Sequence, residues 1–394
     1  MTGMTSRITM SRRRNKPRFL LIGNPENRRV SGFVDALRAA GMPAPVVLAH
    51  RELVVDPRRL YEYGSQRLVV RIDSVGENPE VERLLLARGY TAARESGARC
   101  VSAAAIDADP PQYGELYFPR QHQLGYESYL AELGRVFSQL PHWRLLSAPA
   151  TIRTLFDKRL TSRLYQQHGI PVPDGFGEST ELKQPAQLRE AMRQRGWHSV
   201  YVKLSCGSSA SGLAVYTYRR GHREKLMTTM AVNGTRIFNS LKIQQVTRRD
   251  RIDWLLSFLL GEGAHIEKAI PKARFDGAFM DCRVLMVDRE PAFTVVRQSR
   301  HPVTNLHLGG WRGDLDRLNE SLVPETWRQA MESCRRVARL HQSFQLGIDL
   351  MFEPGFRRHR IIESNAFGDL LPRLYKDGKS VYAYQIDRIN ASCA

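Results

Sequence analysis

Lys203 closes the apolar run VYVKL and is followed by Ser205, Cys206, Gly207, Ser208, Ser209, Ala210, Ser211 and Gly212. Small residues let backbone N–H groups close around an anion, and the lysine adds charge to the same oxygens. The spacing is not that of a G-x-x-x-x-G-K-[ST] loop, and a flexible connection would have the same composition. Asp349 in LGIDLMF, and Glu363 with Asn365 in IIESN, sit in strand-like apolar runs. A buried carboxylate is costly unless it is paired or holds a cation. Two carboxylates and an amide suit Mg²⁺, and Glu363 and Asn365, two apart, share one strand face. A salt bridge at Asp349 and a turn at Glu363–Asn365 would account for the same residues.

Further polar groups lie nearby in the chain. Arg297 and Arg300 precede Asn305 in VVRQSRHPVTNLHLGG, and a guanidinium can hold phosphate or carboxylate oxygens with two parallel hydrogen bonds. Taken singly they read as a surface hairpin loop. Asp281 and Arg283 in MDCRVLMV read as an ion pair at a strand start, and Lys158 in LFDKR as an exposed helical lysine.

These residues need strands and helices to hold them. FLLIGNP, the helical VSGFVDALRAAGM and VVLAHRELV read as strand, helix, strand, the mark of a parallel α/β unit. LVVRID and the stretch before Asp107 read as further strands, and GYESYLAELGRVFSQL has the apolar spacing of an amphipathic helix. After the turn chemistry near Pro141 and Pro149, IRTLFDKRLTSRLYQQHG reads as one helix ending at Gly169, with Pro171 and Pro173 beyond it. VYVKL and LAVYTY flank the small-residue loop as a hairpin-like flap. Residues 221–262 are mixed and polar, with a helix near Asp250–Gly261. HIEKAI, CRVLMV, AFTVVRQ, GIDLMF and HRIIES read as strands, with a helix over Glu325–Phe344.

The chain has 394 residues, 59 Lys+Arg against 40 Asp+Glu for a net charge of +19, and 42% hydrophobic residues. That length suits two or three modules and excludes disorder, collagen or coiled coil for the whole chain. No apolar run is long enough to span a membrane. The charge invites nucleic-acid binding, but the arginines are scattered and a basic surface or attraction to an anionic substrate explains them better. Cys100, Cys206, Cys282, Cys334 and Cys393 are odd in number and form no C-x-x-C pair, which fits a reducing, cytoplasmic compartment. Residues 1–17 read as a disordered basic tail.

DK followed by HGIPVP, then VKL with its small-residue loop, IEKAIP, DCRV, TNLHLGG, GIDL and IIESN, in this order, resembles the ATP-grasp superfamily and most of all the RimK-type carboxylate–amine ligases. The likeness covers about residues 147–375, and the earlier α/β domain resembles the one that usually precedes it. It implies an N-terminal parallel-sheet α/β domain over 18–147, followed by an ATP-grasp fold of two α+β subdomains, 148–235 with the phosphate flap and 236–394 with the metal site.

Carried over, Lys158, Lys203 and the flap residues Ser208, Ser209 and Gly212 would bind the phosphates of ATP. Glu267, Lys268 and Ala269 would meet the adenine, and Asp281 the ribose side. Asp349, Glu363 and Asn365 would hold two Mg²⁺ ions, Mn²⁺ being the alternative. Asn305 would lie near the γ-phosphate and Arg297 would stabilise the transferred phosphoryl group. The family carries an arginine where this chain has Val303, so Arg300 is expected to substitute. The implied reaction joins a carboxylate-bearing substrate, an acidic peptide among the candidates, to an amine donor through an acylphosphate, releasing ADP and phosphate. The rival readings are a nucleotide-binding pseudo-enzyme and a basic nucleic-acid-binding protein. Cys206 has no activating histidine in the sequence nearby and is expected to be an inert thiol.

Overall fold

The computed structural model describes residues 16–176, 182–207, 210–219, 221, 223–368 and 372–392. The first domain comprises β1 (Arg18–Gly23), α1 (Arg28–Ala39), β2 (Val46–Ala49), α2 (His50–Val55), β3 (Leu68–Ile72), α3 (Pro79–Glu95), α4 (Ala103–Ala108), α5 (Pro119–Ser138) and β4 (Arg144–Leu145). Its strands form a four-stranded parallel sheet in the order β2-β1-β3-β4. The second strand is shorter than VVLAHRELV suggests. It stops at Ala49, and α2 follows because Leu53 and Val54 turn inward and are buried. The α3–α5 pair packs backbone to backbone. A Cβ on Gly125 would fall 1.8 Å from the Leu85 carbonyl oxygen, and one on Gly89 2.0 Å from that of Gln121. Only glycine fits at this crossing.

The expected helix across 152–169 is two helices, α6 (Pro149–Leu155) and α7 (Lys158–Gln167). Asp157 divides them. Its carboxylate accepts from the Arg159 N–H at 2.9 Å and caps α7, which puts Lys158 at the first helical position. Then come α8 (Pro185–Gln194), β5 (Ser199–Leu204), β6 (Leu213–Thr217), β7 (Lys225–Asn233), β8 (Arg236–Val246), α9 (Arg249–Gly261) and β9 (Ala264–Lys268). They build a five-stranded antiparallel sheet, β8-β7-β6-β5-β9. The mixed polar stretch after residue 221 is therefore largely a long hairpin, and the expected boundary at 235 falls in its turn. The sheet runs on to Lys268, so the module ends there. Leu188, Met192, Val200, Val202, Tyr216, Leu226, Leu255, Leu259 and Ile266 form this module's own core, with Leu116 of the first domain packed against it.

The last part contains β10 (Arg274–Phe275), β11 (Ala278–Val287), β12 (Glu290–Ser299), β13 (Trp311–Gly313), α10 (Leu315–Ser321), α11 (Pro324–Arg339), β14 (Gln345–Phe352), β15 (His359–Asn365) and α12 (Val381–Ser392). The main sheet order is β13-β12-β11-β14-β15, antiparallel throughout. Its core is continuous with that of the first domain: Leu20, Ile22 and Val70 belong to the same cluster as Val284, Ile348 and Leu350. α12 leaves the sheet and packs Ile386 and Ile389 against Phe19, Phe33 and Leu37 of the first domain. Arg71 secures that contact, 2.8 Å from Asp73, donating to Gln385 at 3.1 Å and lying 4.4 Å from the Phe33 ring centre. Among the described residues, no helix is long and apolar enough to cross a membrane.

Two buried histidines tie stability to pH. His50 lies between the Tyr129 hydroxyl (3.1 Å) and the Asp73 carbonyl (3.0 Å), and His341 lies 2.8 Å from the Tyr165 hydroxyl. Burial pushes each imidazole down to about 4, so both stay neutral in the folded chain. In the unfolded chain each protonates near its ordinary value of about 6.5. The unfolded state thus binds more protons in between, and stability falls as pH drops from about 6.5 towards 4. The urea midpoint is expected to be lower at about pH 5 than at about pH 7, with a shallower drop for His341→Phe. Equal midpoints for the wild-type chain would contradict neutral buried histidines.

Candidate active site

Strand register brings most of the expected polar residues to one place. In the second antiparallel sheet, β13-β12-β11-β14-β15, Asp281 pairs with Arg297 across β11–β12, Arg283 with Asp349 across β11–β14, and Asp349 with Glu363 across β14–β15. Directly paired residues and those two apart share a face. One sheet face therefore carries Arg297, Asp281, Arg283, Asp349, Glu363 and Asn365.

The charges on this face alternate. Arg297 Nε donates to Asp281 Oδ1 at 2.7 Å, and its Nη2 lies 3.1 Å from Asp349 Oδ1. Arg283 Nε lies 3.0 Å from the same Asp349 oxygen, on the next strand. Asp281 Oδ2 receives Lys272 Nζ at 3.1 Å and the Thr304 hydroxyl. Burial alone would raise the Asp281 carboxyl, but Arg297 and Lys272 hold it down at about 2. At Asp349 burial wins over Arg283 and Arg297, helped by the negative charges of Asp281 and Glu363, and the carboxyl is raised.

The first antiparallel sheet, β8-β7-β6-β5-β9, faces this surface with its own charged set. Lys203 and Glu267 are ion-paired on β5 and β9, and His265 Nε2 lies 3.1 Å from Glu267 Oε2. Burial would raise the Glu267 carboxyl, yet Lys203 and His265 bring it to about 2. Lys158 bridges the two sides. Its Nζ is 3.2 Å from Glu363 Oε1 and donates to the Gly207 carbonyl, while its backbone N–H donates to Ser205 O at 3.0 Å. Against the desolvation that would raise it, the Glu363 carboxyl is lowered by Lys158 and Lys203. A small pocket between the sheets is lined by Lys158, Thr161, Tyr165, Glu267 and Glu363.

The first domain holds the loop base in place. The buried Gln123 on α5 donates to Asp157 at 3.2 Å and accepts from the Ser205 hydroxyl at 3.1 Å. Gly212, at φ +58°, packs so tightly that a Cβ would lie 2.4 Å from Leu204. Ser208 and Ser209 lie outside the described residues. Cys206 is half-buried, with Sγ 3.6 Å from the Pro119 carbonyl oxygen, and desolvation pushes its thiol up to about 11, as suits an inert group.

Several expected residues have other employment. Asn305 is half-buried, and its Oδ1 accepts from the His307 N–H at 2.8 Å, capping a short turn of helix. Arg300 is exposed just past β12, whereas Lys272 reaches Thr304 at 2.8 Å beside the site. Lys268 is exposed, and the amides of Lys268 and Ala269 donate to Asp174 O (2.8 Å) and Ser199 O (3.0 Å), so neither amide is left for a base. Both Asp281 oxygens already have protein donors, so it orients Arg297. Sequence reasoning missed Lys272, Thr304, Gln123 and His265. His265, two before Glu267 on a strand, was the one a face-sharing argument could have found.

Known structures share this arrangement of domains. One is the ATP-grasp ligase PsnB complexed with a phosphomimetic variant of its minimal precursor, Mg and ADP, at 13% identity with 96% of this chain and 99% of that chain covered, and a TM-score of 0.52. This chain has the ATP-grasp fold. A second solved structure of similar fold is the D-cycloserine synthetase DcsG (13% identity, 96% of this chain and 100% of that chain covered, TM-score 0.52). A third is the D-alanine–D-alanine ligase of Bacillus anthracis complexed with ATP (11% identity, 96% and 97% covered, TM-score 0.53). Neither family models nor curated proteins match the sequence.

Within this ATP-grasp fold the Asp281 cluster is a closed, buried network, and removing one charge leaves the others uncompensated. Asp281→Asn is expected to cost about 3 kcal/mol of unfolding free energy in urea. A loss under about 1 kcal/mol would contradict the network.

Proposed function

We propose that this chain is an ATP-dependent carboxylate–amine ligase, most like the RimK-type enzymes, that forms an amide through an acylphosphate. The observation that carries the reading is the register of β14 and β15. It sets Asp349 opposite Glu363, with Asn365 two residues on and Lys158 already on Glu363.

The donor set fits Mg²⁺. Two carboxylates and an amide, whose Oδ1 is the atom a hard cation takes, share one sheet face. Arg283 and Arg297 both hold Asp349 and offset its charge on one side of the face. When bound, Mg²⁺ would neutralise charge on the phosphate oxygens.

The protein's own groups do the rest by position and charge. Lys158 and Lys203 would exchange their carboxylate partners for phosphate oxygens when the nucleotide enters. Arg297, fixed by Asp281, would face the charge that spreads over the transferred phosphoryl group. The acceptor carboxylate takes the γ-phosphoryl group and ADP leaves. The amine then attacks the acyl carbon, phosphate departs, and the amine's proton is lost to solvent or a nearby base. The neighbour complexed with a precursor and the +19 charge support a peptide acceptor rich in Asp and Glu.

Screening carboxylates and acidic peptides is expected to find ADP and phosphate made only when an acceptor is present. For peptides, KM should rise with salt between about 50 and 200 mM as the surface charges are screened. Glu363→Gln should abolish turnover while nucleotide still binds. AMP and pyrophosphate as products would contradict the acylphosphate route, and a salt-independent KM would remove the acidic-peptide reading.

A further inference from the structure

Lys272 lies on the connection between β9 and β10, where the chain passes from the module with its own core to the second sheet. A lysine on such a connection would ordinarily reach into water. Here the side chain is only 10% exposed, and burial lowers its proton affinity. Its ammonium donates twice, 3.1 Å to Asp281 Oδ2 and 2.8 Å to the Thr304 hydroxyl oxygen. Thr304 in turn donates to that same carboxylate oxygen. The backbone around it is held on the second sheet as well, with Ala273 N–H donating to Phe352 O at 2.8 Å.

The carboxylate they hold is shared. Asp281 Oδ1 takes Arg297 Nε, and the far end of that guanidinium lies 3.1 Å from Asp349. A carboxylate gripped through one oxygen only could rotate about its Cβ–Cγ bond. With Lys272 and Thr304 fixing Oδ2, the direction in which Oδ1 presents to Arg297 is set. Arg300 and Asn305 are occupied elsewhere or exposed, so they do not supply this restraint.

We propose that Lys272 and Thr304 are positioning residues that fix Arg297 for phosphoryl transfer by clamping the second oxygen of Asp281. The role in catalysis rests on the ligase reading above; the clamp itself does not. Because Lys272 stands on the connection between two sheets, it also ties the placement of Arg297 to the seating of that connection.

The test compares Lys272→Met, Lys272→Arg, Thr304→Val and Thr304→Ser with the wild type in two measurements. In the ligase assay, Lys272→Met and Thr304→Val are expected to lower kcat by about a hundredfold with the KM for ATP within about twofold. Thr304→Ser, which keeps the hydroxyl, should recover most of the rate, and Lys272→Arg part of it. The second measurement needs no turnover. The ¹⁵Nε–H resonance of Arg297, assigned by its loss in Arg297→Lys, should exchange about tenfold faster with solvent in Lys272→Met and Thr304→Val. Unchanged exchange in both variants would overturn the clamp. So would a raised KM for ATP with kcat preserved, which would make Lys272 a nucleotide ligand. Should the wild type form no ADP with any acceptor, the ligase reading fails and the exchange measurement still decides the clamp. Lys272→Arg and Thr304→Ser keep this answerable if the harsher variants do not fold.

Discussion

One buried row of opposite charges governs this molecule. Asp281, Arg297, Asp349 and Arg283 lie on a single face of the second antiparallel sheet and Lys272 reaches that face from the connection before β10, each cation against a carboxylate. Desolvating five such groups is tolerable only if strand register puts every partner within about 3 Å. The register in turn depends on apolar residues on the opposite face, Cys282, Val284, Ile348 and Leu350, packing into the shared core. The face that does chemistry and the face that makes the core are alternate residues of the same strands.

The second constraint is the division of cores. The module ending at Lys268 has its own hydrophobic cluster, while the first domain and the second sheet share one. The site lies along that seam. Lys203, Glu267 and His265 come from one side, Glu363 and Asp349 from the other, and Lys158 reaches both the loop after β5 and β15. Gln123 ties the loop base to the first domain. A pocket built across such a seam can admit a polyanion by exchanging ion pairs rather than by breaking a core.

Much of the architecture was legible because it follows from apolar alternation and ordered motifs. The parallel first domain, the strands around Lys203 and the strands carrying Asp349 and Glu363 follow the reading, whereas the stretch before Asp107, expected as a strand, is the helix α4, capped by Ser102. The pairing of Asp349 with Glu363 itself depends on which strands neighbour each other, and that is decided over more than ten residues of intervening chain. The break at Asp157 was hidden because the apolar spacing continues through it, and only the capping carboxylate ends one helix and starts the next. The hairpin after residue 224 escaped notice because its outer strand is an edge with polar, half-exposed residues and no clean alternation. Lys272 and Thr304 were invisible for another reason. Each matters through a side-chain contact made between segments distant in sequence, and no local pattern encodes that.

The central claim is that Asp349, Glu363 and Asn365 hold divalent cations under a triphosphate gripped by Lys158 and Lys203. Crystals grown with Mn²⁺ and a non-hydrolysable ATP analogue test it directly through the anomalous signal of the metal. The account predicts anomalous peaks within about 2.5 Å of Asp349 and Glu363 oxygens, with analogue phosphates between them and the two lysines. Peaks elsewhere, with the Lys158–Glu363 pair intact beside a bound analogue, would contradict it.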